Sequence, residues 1–88
     1  MQFQRKPGIS ETPVDDGVFL VEPESQEIFY LDSISCGLWR ELAQPRSRAD
    51  LHGVVGEAFP EVPAERIASD VAAVLEDLLQ KRLIVGLP

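Results

Sequence analysis

With 88 residues the chain has room for one domain built on one modest core. Fifteen acids against eight bases leave a net charge of −7, which disfavours nucleic acid, since that affinity comes largely from Lys and Arg displacing counterions. One cysteine and one histidine exclude a disulfide framework and a zinc centre, no apolar run follows the N-terminus as in a signal peptide, and no stretch approaches the ~20 apolar residues of a membrane span, so a soluble, cytoplasmic chain without metal or cofactor is expected.

Residues 1–6 carry Arg5 and Lys6 and precede Pro7-Gly8, so a flexible start is expected there, with the domain proper over 7–88. Ile9 to Val14 reads as a short edge strand, because Pro13 removes a ladder donor. Asp15-Asp16-Gly17 is a turn, and Val18-Phe-Leu-Val21 is a continuous β-favouring run. Glu22-Pro23-Glu24-Ser25 suits a tight turn with proline at its second position, and Glu27 to Leu31 is the returning strand.

Asp32-Ser33 can cap a helix start, and Ile34, Leu38 and Leu42 recur at four-residue spacing beside Trp39, which predicts a first helix over 34–43. Ser47 and Asp50 form a capping box before a second helix at 48–58, whose face carries Leu51, Val54, Val55, Ala58 and Phe59. Gly53 and Gly56 lie inside that helix at a propensity cost of ~1 kcal/mol each, and close helix packing is the expected reason. A third helix runs from Pro63 to about Arg82. Ile67, Val71, Val74 and Leu78 form one apolar stripe on it, and Ala68, Ala72, Leu75 and Leu79 a second, together spanning roughly 160°. Leu83-Ile-Val85 is an apolar tail that packs back.

The expected fold is therefore α+β and winged-helix-like, with three short antiparallel strands followed by three helices. The expected core holds Leu20, Phe29, Leu31, Leu38, Leu42, Leu51, Val55, Phe59, Val71, Val74 and Leu78, with Trp39 mostly buried beside it.

No catalytic constellation is visible. Ser33, Ser35 and Cys36 have no histidine near them in sequence, and His52 reads as a surface or packing residue. Cys36 is a small apolar filler, and the four glycines Gly17, Gly37, Gly53 and Gly56 make no phosphate loop. An apolar hairpin at the front of a small helical domain is instead a surface on which another chain can lay a strand, which points to a binding module and not an enzyme. Two alternatives remain open. A winged-helix DNA-binding regulator would use the third helix for recognition, but Ala64, Glu65, Arg66, Ser69 and Asp70 offer one cation for phosphate. A small structural or dimerisation module would have no peptide ligand.

Several pieces occur in a fixed order: Asp16-Gly17-Val18, then Ile28-Phe-Tyr-Leu31-Asp32, then Ile34, Leu38-Trp39 and Leu42. Pro45-Arg-Ser, Phe59-Pro, Asp70-Val71 and Leu75, Leu78, Lys81-Arg82-Leu83-Ile84 follow. From about residue 7 to 85 the chain resembles the PqqD-like family, also called RiPP recognition elements, where RiPPs are ribosomally made, post-translationally modified peptides. It departs from that pattern where Arg82 replaces a frequent glycine before Leu83, and where Asp32-Ser33 replaces a frequent asparagine. The resemblance implies a freestanding adaptor, a peptide-maturation chaperone, that binds the leader of a precursor peptide as an added strand. The peptide would go to a maturation enzyme such as a radical SAM protein, a cyclodehydratase or a leader peptidase.

The expected groove lies between the strand at 27–31 and the third helix. Its strand side is Glu27, Ile28, Phe29, Tyr30 and Leu31, with Ile28 and Tyr30 turned from the core if Phe29 and Leu31 face it. Its helix side is the flank of Ala68, Ala72, Leu75 and Leu79, preferred over the edge near Asp70, Val74, Asp77 and Lys81 because two alanines leave room for an inserted side chain.

Overall fold

The computed structural model describes all 88 residues. In chain order the elements are β1 (Gln2–Arg5), β2 (Ser10–Val14), β3 (Gly17–Val21), β4 (Ile28–Leu31), α1 (Ser33–Glu41), α2 (Arg48–Ala58), α3 (Ala64–Gln80) and β5 (Ile84–Leu87). The expected strand meander and the three helices are present, and two further strands join the ends of the chain.

β2, β3 and β4 form an antiparallel sheet in that order, with Val18 opposite both Pro13 and Leu31. Pro13 is thus on an outer strand, where a missing ladder donor is tolerated. Asp15-Asp16 closes the first hairpin, with Asp15 at a φ of 52°, a left-handed conformation that aspartate adopts more readily than most residues. Gly17 follows because no side chain fits: a Cβ would collide with the Leu31 carbonyl oxygen and lie 2.6 Å from the Tyr30 hydroxyl.

The loop between β3 and β4 folds over Glu22, which is 2% exposed. Its carboxylate accepts from the Ser25 N–H at 2.7 Å, the Glu24 N–H at 3.2 Å and the Lys6 ammonium at 2.9 Å. The Ser25 N–H first, then the Lys6 ammonium, hold the carboxyl at about 2, below its ordinary 4.5.

The helix ends follow their caps. Asp32 accepts from the Ser35 N–H at 2.9 Å, and Ser47 and Asp50 exchange bonds of 3.1 and 2.9 Å in the expected capping box. Gly53 and Gly56 do not mark close packing. A Cβ at Gly53 meets nothing within 4 Å, and one at Gly56 touches only Ile67 Cδ1 at 3.9 Å.

The core lies between the three-stranded sheet and the helices. Leu20, Leu31, Leu38, Trp39, Leu42, Leu51, Val71 and Leu78 are buried as expected, and Phe29, Val55 and Val74 pack against them partly buried. Phe59 instead remains 37% exposed, because it lies past the end of α2 at the rim of a cavity. Trp39 keeps its indole N–H satisfied by donating to Glu11 Oε1 at 3.1 Å.

Residues 1–6, expected to fray, are tied down. β1 pairs antiparallel with β5, Gln2 opposite Leu87 and Arg5 opposite Ile84. Phe3 also exchanges backbone bonds of 2.7 and 2.9 Å with Arg46, and its ring is in the core with Leu83 and Ile84. The apolar tail does pack back, as a strand.

Candidate functional site

β4 is an outer strand, paired on one side only. Its backbone directions follow from the ladder. Glu22 N–H donates to the Glu27 carbonyl at 3.0 Å, so this opposed pair is a hydrogen-bonded one. Such pairs alternate in an antiparallel ladder, which aims the N–H and C=O groups of Phe29 and Leu31 at β3. Those of Ile28 and Tyr30 then point at the free edge, and no turn or loop bond takes them up.

The side chains alternate as expected. Leu31 is buried and Phe29 half-buried, while Ile28 and Tyr30 are more than half exposed on the outer face. The Tyr30 ring lies over Gly17 with its centroid 5.2 Å from that of Phe19, so an exposed aromatic is held in place by its cross-strand neighbour. Glu27 is exposed at the start of β4.

The C-terminal end of α3 comes up against β4. There Lys81 Nζ stands 5.4 Å over the Phe29 ring, where Glu27, Phe29, Gln80, Lys81 and Arg82 line a cavity of about 400 Å³. One helical stretch earlier, Asp70, Val71 and Val74 meet Ile34 and Leu38 of α1 around an apolar cavity of about 170 Å³, closed by Val55, Phe59 and Val62. From Asp70 to Lys81 a helix rises roughly 16 Å, the span of about five strand residues. A second apolar cavity, about 510 Å³, opens between α1 and α2 and shares Ile34, Leu38, Val55 and Phe59 with the first.

Lys81 thus meets β4 at Phe29, while Asp70 and Val74, on the same edge of α3, line the cavity with α1. Of the preferred flank, Leu75 is wholly buried in the core, Ala68 and Ala72 are half-buried, Leu79 is 36% exposed, and none lines a cavity with β4. Ile34, at the start of α1 and half exposed, lines both apolar cavities. Four-residue spacing alone assigned it to the helix stripe without showing that it lies at a cavity mouth.

The ionisable groups make pairs suited to structure. Arg66 stands 3.8 Å from Asp70, and Lys81 2.8 Å from Asp77, both one helical turn apart on α3. No three His, Cys, Asp or Glu residues converge as metal ligands would. Cys36 is buried in the core and His52 is half-buried on α2. No helix is long and apolar enough to cross a membrane.

None of the curated proteins compared with the chain matches it. Two solved structures share its fold. One is described as "TbiB1 in Complex with the TbiA(beta) Leader Peptide", 19% identical, with a TM-score of 0.84 over 97% of this chain and 98% of that one. The other, "Lasso peptide synthetase B1 complexed with the leader peptide", is 23% identical, with a TM-score of 0.82 over 98% of this chain and 100% of that one. The model of the family described as "Coenzyme PQQ synthesis protein D (PqqD)" matches residues 17–84. That span takes in β3, β4, all three helices and the free β4 edge, and the chain belongs to the PqqD family.

Proposed function

We propose that the chain is an adaptor that holds the leader segment of a ribosomally made precursor peptide along the free edge of β4 and presents it to a maturation enzyme. The observation that carries this reading is the β4 edge itself, with the backbone of Ile28 and Tyr30 unpaired and an apolar cavity beyond its Leu31 end. A peptide there gains main-chain bonds from Ile28 and Tyr30, and an apolar side chain can enter between α1 and α3 near Ile34, Val74 and Phe59. Both similar structures are complexes with leader peptides, which supports the same occupant here. The maturation enzyme is a peptide-modifying one, of the radical SAM, cyclodehydratase or leader-peptidase kind. DNA is a poorer occupant: the exposed residues of α3 include Glu65, Asp70, Glu76 and Asp77, with Arg66 already facing Asp70.

Fluorescence anisotropy with a labelled leader from a candidate precursor tests the reading on two variants. Ile28→Pro removes one outward N–H without touching the β3 ladder, and Ile34→Glu puts a charge at the cavity mouth. Proline is tolerated on an outer strand and Ile34 is half exposed, so both variants should keep native circular dichroism. Ile28→Pro should weaken binding about threefold to tenfold, and Ile34→Glu at least about tenfold. Unchanged affinity in both folded variants places the peptide elsewhere.

A further inference from the structure

The inference concerns the selectivity of the β4 edge and rests on the peptide-binding reading of that edge. α3 ends in a paired closure: the Arg82 N–H donates to the Leu79 carbonyl at 3.1 Å and the Leu83 N–H to the Leu78 carbonyl at 3.0 Å. This arrangement sets the residue after the cap in the left-handed region, and Arg82 has a φ of 60°. Glycine takes that conformation without penalty, whereas any residue with a Cβ is disfavoured in it. An arginine here is therefore held against a local preference, at the mouth of the cavity where β4 begins.

Its side chain has no partner. Arg82 makes no ion pair and no side-chain hydrogen bond, in a chain with nearly twice as many acids as bases. Lys81 beside it is already engaged by Asp77 at 2.8 Å and by the Phe29 ring. The one acid on the cavity wall, Glu27, is exposed at the opposite rim on the strand side. The cavity thus carries one uncommitted cation, a planar fork of donors whose shape fits a carboxylate.

We propose that Arg82 is a specificity-determining residue that binds an Asp or Glu side chain of the bound peptide at the Glu27 end of β4. The peptide is then read at two points roughly 16 Å apart, an apolar residue between α1 and α3 and an acid beside Arg82.

A displayed random dodecapeptide library, selected in parallel on the wild-type chain and on Arg82→Gly, tests this. The variant folds, because glycine suits the left-handed position, and its melting temperature should equal or exceed that of wild type. Peptides selected on wild type should carry Asp or Glu at a fixed spacing from an apolar residue. Their affinity should fall about tenfold in Arg82→Gly, while the same peptides with Asn or Gln in place of the acid should bind both proteins alike. If wild type selects peptides without an acidic preference, or Arg82→Gly retains that preference, the role of Arg82 is overturned and the β4 edge stands. If no selected peptide is weakened by Ile28→Pro, the edge reading fails and the proposal with it.

Discussion

Glu22 shows how much a single residue can organise that no local pattern announces. In sequence it is one more acid before a proline. In the fold it is buried, takes two backbone N–H groups of its own turn, and pulls Lys6, sixteen residues earlier, onto the β3–β4 loop. Its depressed titration makes it a source of pH-dependent stability. Above the ordinary carboxylate value of 4.5 the group is ionised in folded and unfolded chains alike, and the stabilising bonds are complete. As the pH falls from about 4.5 to about 2 the unfolded chain takes up the proton first, and this contribution is lost. The melting temperature should fall across that window. Glu22→Gln should melt lower at neutral pH and show a flatter acid limb, and a limb parallel to wild type would assign the dependence to another group. Asp50, also lowered below its ordinary value by the Ser47 backbone N–H, acts in the same direction and leaves the variant a residual slope. Trp39 was legible as core from its place beside the Leu38 stripe, but its polar end was not: Glu11 accepts its indole N–H across 28 positions of chain. Trp39→Ala should cost ~3–5 kcal/mol in urea denaturation, most of the stability of so small a domain.

At the scale of elements, what could be read locally agrees with the structure. Asp32, the Ser47–Asp50 box and the break at Pro60 bound the helices because capping and termination involve residues three or four apart. The rotation of α3 could not be read so. It carries two adjacent apolar stripes, with a charged edge beside them, and which side faces β4 depends on α1 and on the chain ends. With Leu75 buried in the core, Lys81 stands over the Phe29 ring of β4 and Val74 lines the cavity shared with α1. The glycines of α2 teach the converse. Their presence in a helix suggested a steric need, and the open space around Gly53 shows none. Gly53→Ala should therefore stabilise the protein by ~1 kcal/mol, raising the melting temperature by about 4–8 °C. A lower melting temperature would mean that this position meets a neighbour in solution.

The whole molecule is closed by the segment that looked least structured. A strand of four residues with one aromatic, Gln2 to Arg5, has no period long enough to separate it from a frayed end, and its partner begins 79 residues further on, at Ile84. Only the assembled fold supplies the reason for it. Phe3 fills the core with Leu83 and Ile84, the Arg5 N–H donates to the Leu42 carbonyl at the end of α1, and the Lys6 N–H donates to the Leu83 carbonyl just past α3. One short strand thus ties together both ends of the helical layer, and Lys6 extends the tie to the β3–β4 loop. That loop leads directly into β4, so the free edge is held from the opposite end of the sequence. Phe3→Ala should then cost ~3–5 kcal/mol, a drop of more than about 12 °C in melting temperature. A chain starting at Pro7, which loses Phe3, the β1–β5 pairing and the Lys6–Glu22 contact together, should be largely unfolded at room temperature by circular dichroism and should not bind a leader peptide. A stable, binding-competent chain without residues 1–6 would show that β1 is an ornament on a fold complete from β2 onward.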